Sequence, residues 1–239
     1  RPSGLAGTHY GTYNQSGGTV NLGGSGTAND NHATFSQVNS NSNFNLSGGV
    51  LNILNPTTTG ALAVGSGLGY HQVSGGTINI TLPSGNSNVA LCSTSPLFHL
   101  NIFKSGTGTG GLSLEDIAGI GAQPLTVYGD LSLNDNVRLI TNDLDLGLAG
   151  DFTLESGARY DHGSNTTEFL AYGTSSSIIN NNSGNTPLTF SHVSIQQSDA
   201  VANFNHATTV IFPTASSPRV NIMGSLSLNP TYQTLDLHN

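Results

Sequence analysis

Tyr13-Asn-Gln-Ser-Gly-Gly-Thr-Val-Asn-Leu22 is a phrase that returns twice in this chain, as Phe44-Asn-Leu-Ser-Gly-Gly-Val-Leu-Asn-Ile53 and Tyr70-His-Gln-Val-Ser-Gly-Gly-Thr-Ile-Asn-Ile80. Each copy has an aromatic residue, a polar stretch, Ser-Gly-Gly and then an alternating apolar run. Repeats of about 20–50 residues are typical of solenoids, in which one unit cannot bury its apolar face alone. We predict a strand, a tight Gly-Gly corner and a second strand in each copy, because glycine adopts positive φ without steric cost.

The three Ser-Gly-Gly phrases are followed by a longer duplication and by a shorter repeat, which we call the 21-residue beat. The segment Gly129-Asp-Leu-Ser-Leu133 recurs as Gly150-Asp-Phe-Thr-Leu154, 21 residues later. We interpret this beat as one coil of a β-helix. The longer duplication has an offset of about 91–95 residues and three matched blocks, which are 99–102 with 192–195, 125–133 with 220–228, and 144–146 with 235–237.

These patterns predict an all-β chain with the fold of a parallel β-helix. Apolar and polar residues alternate with period two, so apolar side chains would point into a narrow interior. At about 21–23 residues per rung, the chain would make roughly 10–11 rungs with strands about 4.8 Å apart. We expect one continuous solenoid with a Ser-Gly-Gly part (1–90), a first copy of the long repeat (91–186) and a second, incomplete copy (187–239). The alternative is a β-sandwich array, because short strands with frequent turn signals also fit that fold.

The composition narrows the classes of partner. Only 8% of the 239 residues are charged, and the net charge is −8. Five scattered basic residues supply no footprint for nucleic acid, and anionic membrane surfaces are disfavoured for the same reason. No apolar run approaches the roughly 20 residues of a spanning helix. We therefore expect no nucleic-acid partner and no direct membrane insertion.

The acidic residues offer one candidate metal site. Asp130 and Asp151 hold the same place in neighbouring copies of the 21-residue beat, so their carboxylates would stack on adjacent rungs. Like charges stacked in this way repel unless a cation or backbone amides compensate. A hard cation such as Ca²⁺ would take such oxygen ligands. The alternative is that each Asp accepts hydrogen bonds from the amides of its own turn.

A second acidic pair raises the possibility of catalysis. Asp143 and Asp145 flank Leu144 and would share the outward face of one strand, which also makes them weak candidates for the metal site. Two carboxylates perform acid–base work in glycosidases, and Arg138 and Arg159 lie near this cluster in sequence. A polysaccharide-active β-helix enzyme is therefore an alternative function, although the same carboxylates are also typical of a solvated face. We expect the chain not to be an enzyme, and we assign it no catalytic or cofactor-binding residue.

Recurring histidines and aromatic residues are interpreted as structural. His99 and His192 hold equivalent places in the long duplication, which favours a repeated turn or surface position. Tyr13, Phe44 and Tyr70 begin the three phrases, and we predict that they stack on one another as an aromatic ladder.

Threonine clusters suggest a minor alternative, ice binding. They occur at Thr57-Thr-Thr59 and Thr107-Gly-Thr109, but a Thr-x-Thr pattern does not recur at each rung.

Tyr13-Asn-Gln-Ser-Gly-Gly-Thr-Val-Asn-Leu22 and Tyr128-Gly-Asp-Leu-Ser-Leu-Asn134 resemble the repeats of very large secreted surface proteins of Bacteroidetes. Those proteins are adhesin-like and type IX secreted, and some are associated with gliding motility. Similar phrases occur in β-helical autotransporter passengers. The resemblance implies a right-handed parallel β-helix, an extracellular or cell-surface location and a structural or adhesive role. The implied partners are glycans or surfaces and other cell-surface or secretion components, and the chain, which starts at Arg1, would be a segment of a longer protein.

Overall fold

The computed structural model describes residues 11–23, 32–57, 59–67, 69–170, 176–181, 187–196, 208–211, 220–228 and 233–236. These residues form 22 strands and no helix, and every paired strand runs parallel to its neighbour. The prediction of an all-β parallel solenoid is thereby confirmed. The sandwich alternative is wrong, because its facing sheets would need antiparallel pairs.

The first sheet has nine strands, one from each successive coil. Its strands are β1 (Thr12–Gly23), β3 (Asn43–Leu54), β5 (His71–Leu82), β7 (His99–Lys104), β10 (Leu131–Leu133), β13 (Phe152–Leu154), β16 (Ser176–Asn180), β19 (Thr208–Ile211) and β22 (Gln233–Asp236).

Two further sheets and a short pair complete the coils. The second sheet contains β2 (Phe35–Gln37), β4 (Leu62–Val64), β6 (Val89–Ser93), β8 (Leu112–Leu114), β11 (Arg138–Ile140) and β14 (Arg159–Asp161). The third sheet contains β9 (Leu125–Val127), β12 (Leu146–Leu148), β15 (Thr166–Leu170), β18 (His192–Gln196) and β21 (Leu226–Leu228). The two-stranded pair is β17 (Leu188–Phe190) with β20 (Val220–Ile222).

The 21-residue beat is one coil, as predicted. Leu131 in β10 pairs with Phe152 in β13, and Arg138 in β11 pairs with Arg159 in β14. Coils elsewhere are longer. Hydrogen-bonded side chains on successive coils of the first sheet are 31, 27 and 22 residues apart between β1 and β7. Because two of these coils are longer than the about 21–23 residues assumed for every rung, the longest sheet has nine strands among the described residues, whereas the sequence predicted roughly 10–11 rungs.

A column of apolar side chains in register lies in the interior behind the first sheet, and it illustrates how the coils stack. Leu51, Ile78, Leu100, Leu131 and Phe152 are in register on successive coils, and none of them is exposed. Period-two alternation sends these side chains inward and their neighbours outward. Burying each such side chain contributes about 1.5–3 kcal/mol, so the stacked coils stabilise what no single coil could.

The glycine pairs lie inside continuous strands rather than between two strands. Each of β1, β3 and β5 is 12 residues long, and its pairing register shifts at the Ser-Gly-Gly segment. The second glycine of each pair has positive φ, at Gly18, Gly49 and Gly76. The predicted corner is thus a bulge that bends one strand, because the ladder resumes immediately after it.

The glycines are required by close stacking between coils. A Cβ atom on Gly48 would lie 2.5 Å from the Ser16 carbonyl oxygen, and one on Gly49 would lie 2.6 Å from the carbonyl of Gly17. Gly17 belongs to the first described coil, and a Cβ atom there would meet nothing within 4 Å. The backbones of successive bulges therefore lie against each other with no room for a side chain.

The aromatic ladder differs from its prediction at the third copy. Tyr13 and Phe44 stack with ring centroids 5.7 Å apart, and Phe35 meets both rings edge-on. The partner of Phe44 in the next coil is His71, while Tyr70 is 42% exposed. The third phrase has one extra residue before its Ser-Gly-Gly, so the glycine register brings His71 to the aromatic position. Burial lowers the pKa of His71, which favours the neutral ring there.

A second, smaller core covers the outside of the second sheet. Ile117 lies over the small outward residues Ala63 and Cys92, together with Ala33 and Ala90. The segment that carries Ile117 is fixed by a hydrogen bond from the Gly121 amide to the Asp116 carboxylate. The outward residues Ala63, Ala90 and Cys92 of β4 and β6 are therefore closed to solvent.

The long duplication repeats a local unit at a different place around the coil. His99–Ile102 lies in the first sheet, whereas its match His192–Ile195 lies in the third. Likewise 125–133 bends from the third sheet into the first, and 220–228 bends from β20 into the third. The remaining block ends at Leu237, which lies outside the described residues. What recurs is a strand, a bend and a strand.

Alanine substitution at equivalent glycines tests the stacking of the bulges. We expect Gly48→Ala to lower the free energy of unfolding by about 1–3 kcal/mol, because the new methyl group would meet the Ser16 carbonyl. Gly17→Ala, at the same repeat position, should change it by less than about 0.5 kcal/mol. Urea denaturation followed by circular dichroism measures both, and equal losses would contradict inter-coil stacking as the cause.

Candidate functional site

The two glycine motifs of the sequence, Ser-Gly-Gly and Gly-Asp, lie at the same bend of the solenoid. The register places four residues of the first sheet in one column, which are Thr77 within β5, His99 at the start of β7, and Asp130 and Asp151 directly before β10 and β13. The preceding column contains the second glycine of the Ser-Gly-Gly phrase and the glycine of Gly-Asp. The two motifs thus mark the same bend in different coils. Their shared position just before an alternating run was the sequence signal for it.

Two side chains of this column, His99 and Asp130, accept hydrogen bonds from the backbone of the following coil. The Asp130 amide donates to His99 Nδ1 at 2.9 Å, and the Asp151 amide donates to Asp130 Oδ1 at 2.9 Å. His192 accepts the Ser225 amide at 3.1 Å in the same manner. The prediction that both histidines hold one repeated structural position is confirmed, and that position is the first residue of a strand. Asp130 and Asp151 lie on adjacent coils as predicted, and a backbone amide is the compensating partner.

Asp143 and Asp145 lie in a turn, which corrects the prediction of a shared strand face. Asn142 and Asp143 both have positive φ, and β12 begins only at Leu146. Asp143 Oδ1 accepts the Ser164 amide at 2.6 Å and the Ser164 hydroxyl at 2.9 Å. These hydrogen bonds lower the pKa of Asp143.

Asp145, two residues after Asp143, also accepts a backbone amide of the next coil. Its Oδ1 atom accepts the Thr166 amide at 2.8 Å. Each of these carboxylates therefore accepts from the next coil, 21 residues later, rather than from its own turn. The alternative prediction, that each Asp accepts hydrogen bonds from the amides of its own turn, is right about backbone amides as partners. It is wrong about their place, because the amides belong to the next coil.

The arginines near the acidic cluster are placed by the second sheet. Arg138 and Arg159 pair in register across β11 and β14, and Arg138 Nε forms an ion pair with Asp161. Asp143 and Asp145 lie in the turn beyond these strands and accept backbone amides. The side chains of Asp143, Asp145 and Arg138 therefore have structural partners.

The candidate metal ligands do not form a chelating group in the described part of the chain. No set of three or more His, Cys, Asp or Glu side chains could hold a metal ion there. One oxygen of Asp130, of Asp143 and of Asp145 accepts an amide hydrogen bond. The association of Ca²⁺ with Asp130, Asp151, Asp143 and Asp145 stays a prediction.

A buried polar cluster lies inside the solenoid near the acidic turn. Tyr160 Oη is 2.8 Å from Thr167 Oγ1 and accepts from Asn165 Nδ2 at 2.9 Å. Burial raises the pKa of Tyr160 to about 12. Because all three side chains are buried, the cluster is a structural feature of the core rather than a surface site.

An asparagine ladder crosses the outside of the first sheet. Asn52 Nδ2 donates to Asn21 Oδ1 at 2.7 Å, Asn79 to Asn52 at 2.8 Å, and Asn101 to Asn79 at 2.9 Å. We call Asn21, Asn52, Asn79 and Asn101 the asparagine ladder. Sequence reasoning missed it, although Thr-Val-Asn, Val-Leu-Asn, Thr-Ile-Asn and His-Leu-Asn hold equivalent places in the repeats.

The outward ranks beside the ladder are uncharged in β1, β3 and β5, and in later coils the rank of Thr77 continues through His99 to Asp130 and Asp151. Thr19, Val50 and Thr77 are in register on one side, and Leu54, Thr81 and Phe103 are in register on the other. The described outward positions of β1, β3, β5 and β7 hold no Asp, Glu, Lys or Arg. The result is a regular face of amides, hydroxyls and a few apolar side chains.

The threonine clusters that suggested ice binding do not form regular ranks. Thr57 forms a bridge with Gly60, and Thr58 lies outside the described residues. Thr109 lies in the loop between β7 and β8, where its amide donates to Asn86 Oδ1.

Comparisons of the chain with known protein families, with curated proteins and with solved structures gave no match. Among the described residues there is also no helix long and apolar enough to span a membrane. The fold, the bends and the outer face are therefore the basis for assigning a function.

The hydrogen bonds at Asp143 predict a pH-dependent stability. Because they lower its pKa below the ordinary 3.8, the carboxylate stabilises the fold fully above that value. This contribution is lost as the pH falls through the lower folded-state pKa. Asp143→Asn keeps an acceptor oxygen but removes the titrating charge.

We therefore expect the thermal unfolding midpoint of the wild type to fall more steeply than that of the variant between about pH 5 and pH 2. Asp135→Asn, in the exposed turn after β10, is the matched control and should follow the wild type. Parallel curves for the wild type and Asp143→Asn would show that the ionised carboxylate of Asp143 adds no pH-dependent stability to the fold.

Proposed function

We propose that the chain is part of an extracellular or cell-surface β-solenoid with a structural and adhesive role. The observation that carries this proposal is the uncharged outer face of the first sheet, with its ranks of amides and hydroxyls in register on successive coils. Its partners are glycans or glycan-covered surfaces. The resemblance of the repeats to secreted adhesin-like proteins of Bacteroidetes supports the location and the type IX route.

The proposed mechanism is multivalent. Each outward amide or hydroxyl makes a hydrogen bond that is weak in water, with a net value of about 0.5–1.5 kcal/mol. A rigid rod holds many such groups at a fixed spacing of about 4.8 Å, so contacts with a repeating ligand add without a new ordering cost for each one. When many copies of the protein are present on one surface, their contacts with the ligand add in the same way.

The proposed role is not catalytic. The acidic side chains that a polysaccharide-cleaving enzyme would need are engaged in hydrogen bonds between coils. Arg138, the nearest basic group, is paired with Asp161.

Adhesion of protein-coated beads to polysaccharide films tests this proposal. Beads with a dense coat should resist flow on at least one film of cellulose, chitin, mannan, alginate or polygalacturonate. Retention should rise more steeply than linearly with coat density, because several contacts must hold at once. Beads coated with an unrelated acidic protein are the control. Equal release of both kinds of bead from every film would contradict the adhesive role.

A further inference from the structure

We infer that the asparagine ladder is the contact surface for an extended, neutral polysaccharide that runs along the solenoid axis. This inference rests on the proposed adhesive function and specifies its binding face and the class of its ligand. The ladder runs perpendicular to the strands through Asn21, Asn52, Asn79 and Asn101. Four coils spaced about 4.8 Å apart give a contact line about 14 Å long.

The ladder keeps unused hydrogen-bonding capacity on every coil. A side-chain amide has two N–H donors and an oxygen with two acceptor positions. Asn52 and Asn79 each use one donor and one acceptor position within the ladder. One donor and one acceptor position therefore remain on each of these coils, and a hydroxyl group, which both donates and accepts, complements the pair.

The amides are held in place before a ligand arrives. Each inner amide is fixed on both sides by its neighbours in the adjacent coils, at 2.7–2.9 Å. Binding a polar ligand to mobile side chains costs about 0.5–1.5 kcal/mol for each side chain that becomes ordered. The interlocked ladder avoids much of this cost, which distinguishes it from an ordinary polar surface.

Apolar groups lie beside the ladder on the same face. Leu54 is 40% exposed, and Phe103 occupies the same outward rank two coils later. Val50 is half-buried on the other side of the ladder. Sugar rings present hydroxyl groups at their edges and C–H groups on their faces, so polar and apolar side chains in adjacent ranks match both kinds of surface.

The absence of charge selects a neutral ligand. The outward ranks of β1, β3, β5 and β7 hold no Asp, Glu, Lys or Arg among the described residues. Lys104, at the end of β7, donates to the carbonyl oxygens of Gly85 and Gly110. A carboxylated or sulfated polymer would lose hydration on this face and gain no ion pair.

Threonine substitution in the ladder tests the inference without breaking the fold. The same outward rank continues as Ser132 and Thr153 in later coils, and threonine favours strands. The double variant Asn52→Thr/Asn79→Thr should therefore fold, as circular dichroism and thermal unfolding would check. The matched control is Asn41→Thr/Asn221→Thr, which changes two exposed asparagines outside the ladder.

Binding is measured by depletion of the intact chain on insoluble cellulose, chitin and mannan, with alginate and polygalacturonate as anionic probes. We expect the wild type and the control to bind at least one neutral polymer and neither anionic one. The ladder variant should bind the same polymer about tenfold more weakly, because two amide contacts are lost.

The possible failures are distinguishable. If the folded ladder variant binds a neutral polymer as tightly as the wild type, the ladder is not the contact surface, although the adhesive function stands. Binding to the anionic polymers alone would overturn the neutral ligand class. If the wild type binds none of the five polymers and the coated beads also fail to adhere, the proposed function fails and this inference fails with it.

Discussion

The structure depends on satisfying the backbone at the bends of each coil. Strands of successive coils pair in parallel, but the N–H groups at the bends need other acceptors, because a buried or half-buried N–H without a partner is costly. His99, Asp130, Asp143 and Asp145 supply these acceptors from the preceding coil. This role accounts for the acidic and histidine residues that the sequence spaces at one-coil intervals. It also helps to fix the register between coils, together with the alternation of buried and exposed residues.

Close approach of the backbones is the second constraint. The bulges at Gly48 and Gly49 lie against the carbonyl groups of the coil before, with no room for a Cβ atom. Further along the same bend, Gly129 lies beneath the ring of His99, and before the third sheet Gly224 lies in the same way beneath the ring of His192. Glycine therefore serves two kinds of bend, one stacked on backbone and one stacked on an imidazole ring.

The scaffold and the proposed binding face use different residues. The bends hold His99, Asp130, Asp143 and Asp145, the second sheet holds the pair of Arg138 with Asp161, and the interior holds the apolar side chains. The outer face of the first sheet is left with asparagine, threonine and a few apolar side chains. A long face of this kind gains affinity from repetition rather than from one pocket. It suits a polymer that repeats along the same direction. It also explains why the sequence contains only incomplete sets of catalytic residues.

The sequence by itself determined the class of fold and the coil. Alternation with period two and the recurrence of Gly-Asp 21 residues later are local properties, and they led correctly to a parallel solenoid. Which residues lie next to each other on successive coils depended on insertions, and the repeat pattern alone does not show the effect of an insertion on the register. One extra residue in the third phrase moved His71 into the place predicted for Tyr70, and the turn at Asn142 took Asp143 out of a strand. The asparagine ladder and the acceptors at the bends are contacts between residues about 21 to 33 positions apart. Only the stacking of whole coils decides them, because register is set jointly by the core, the glycines and the backbone hydrogen bonds.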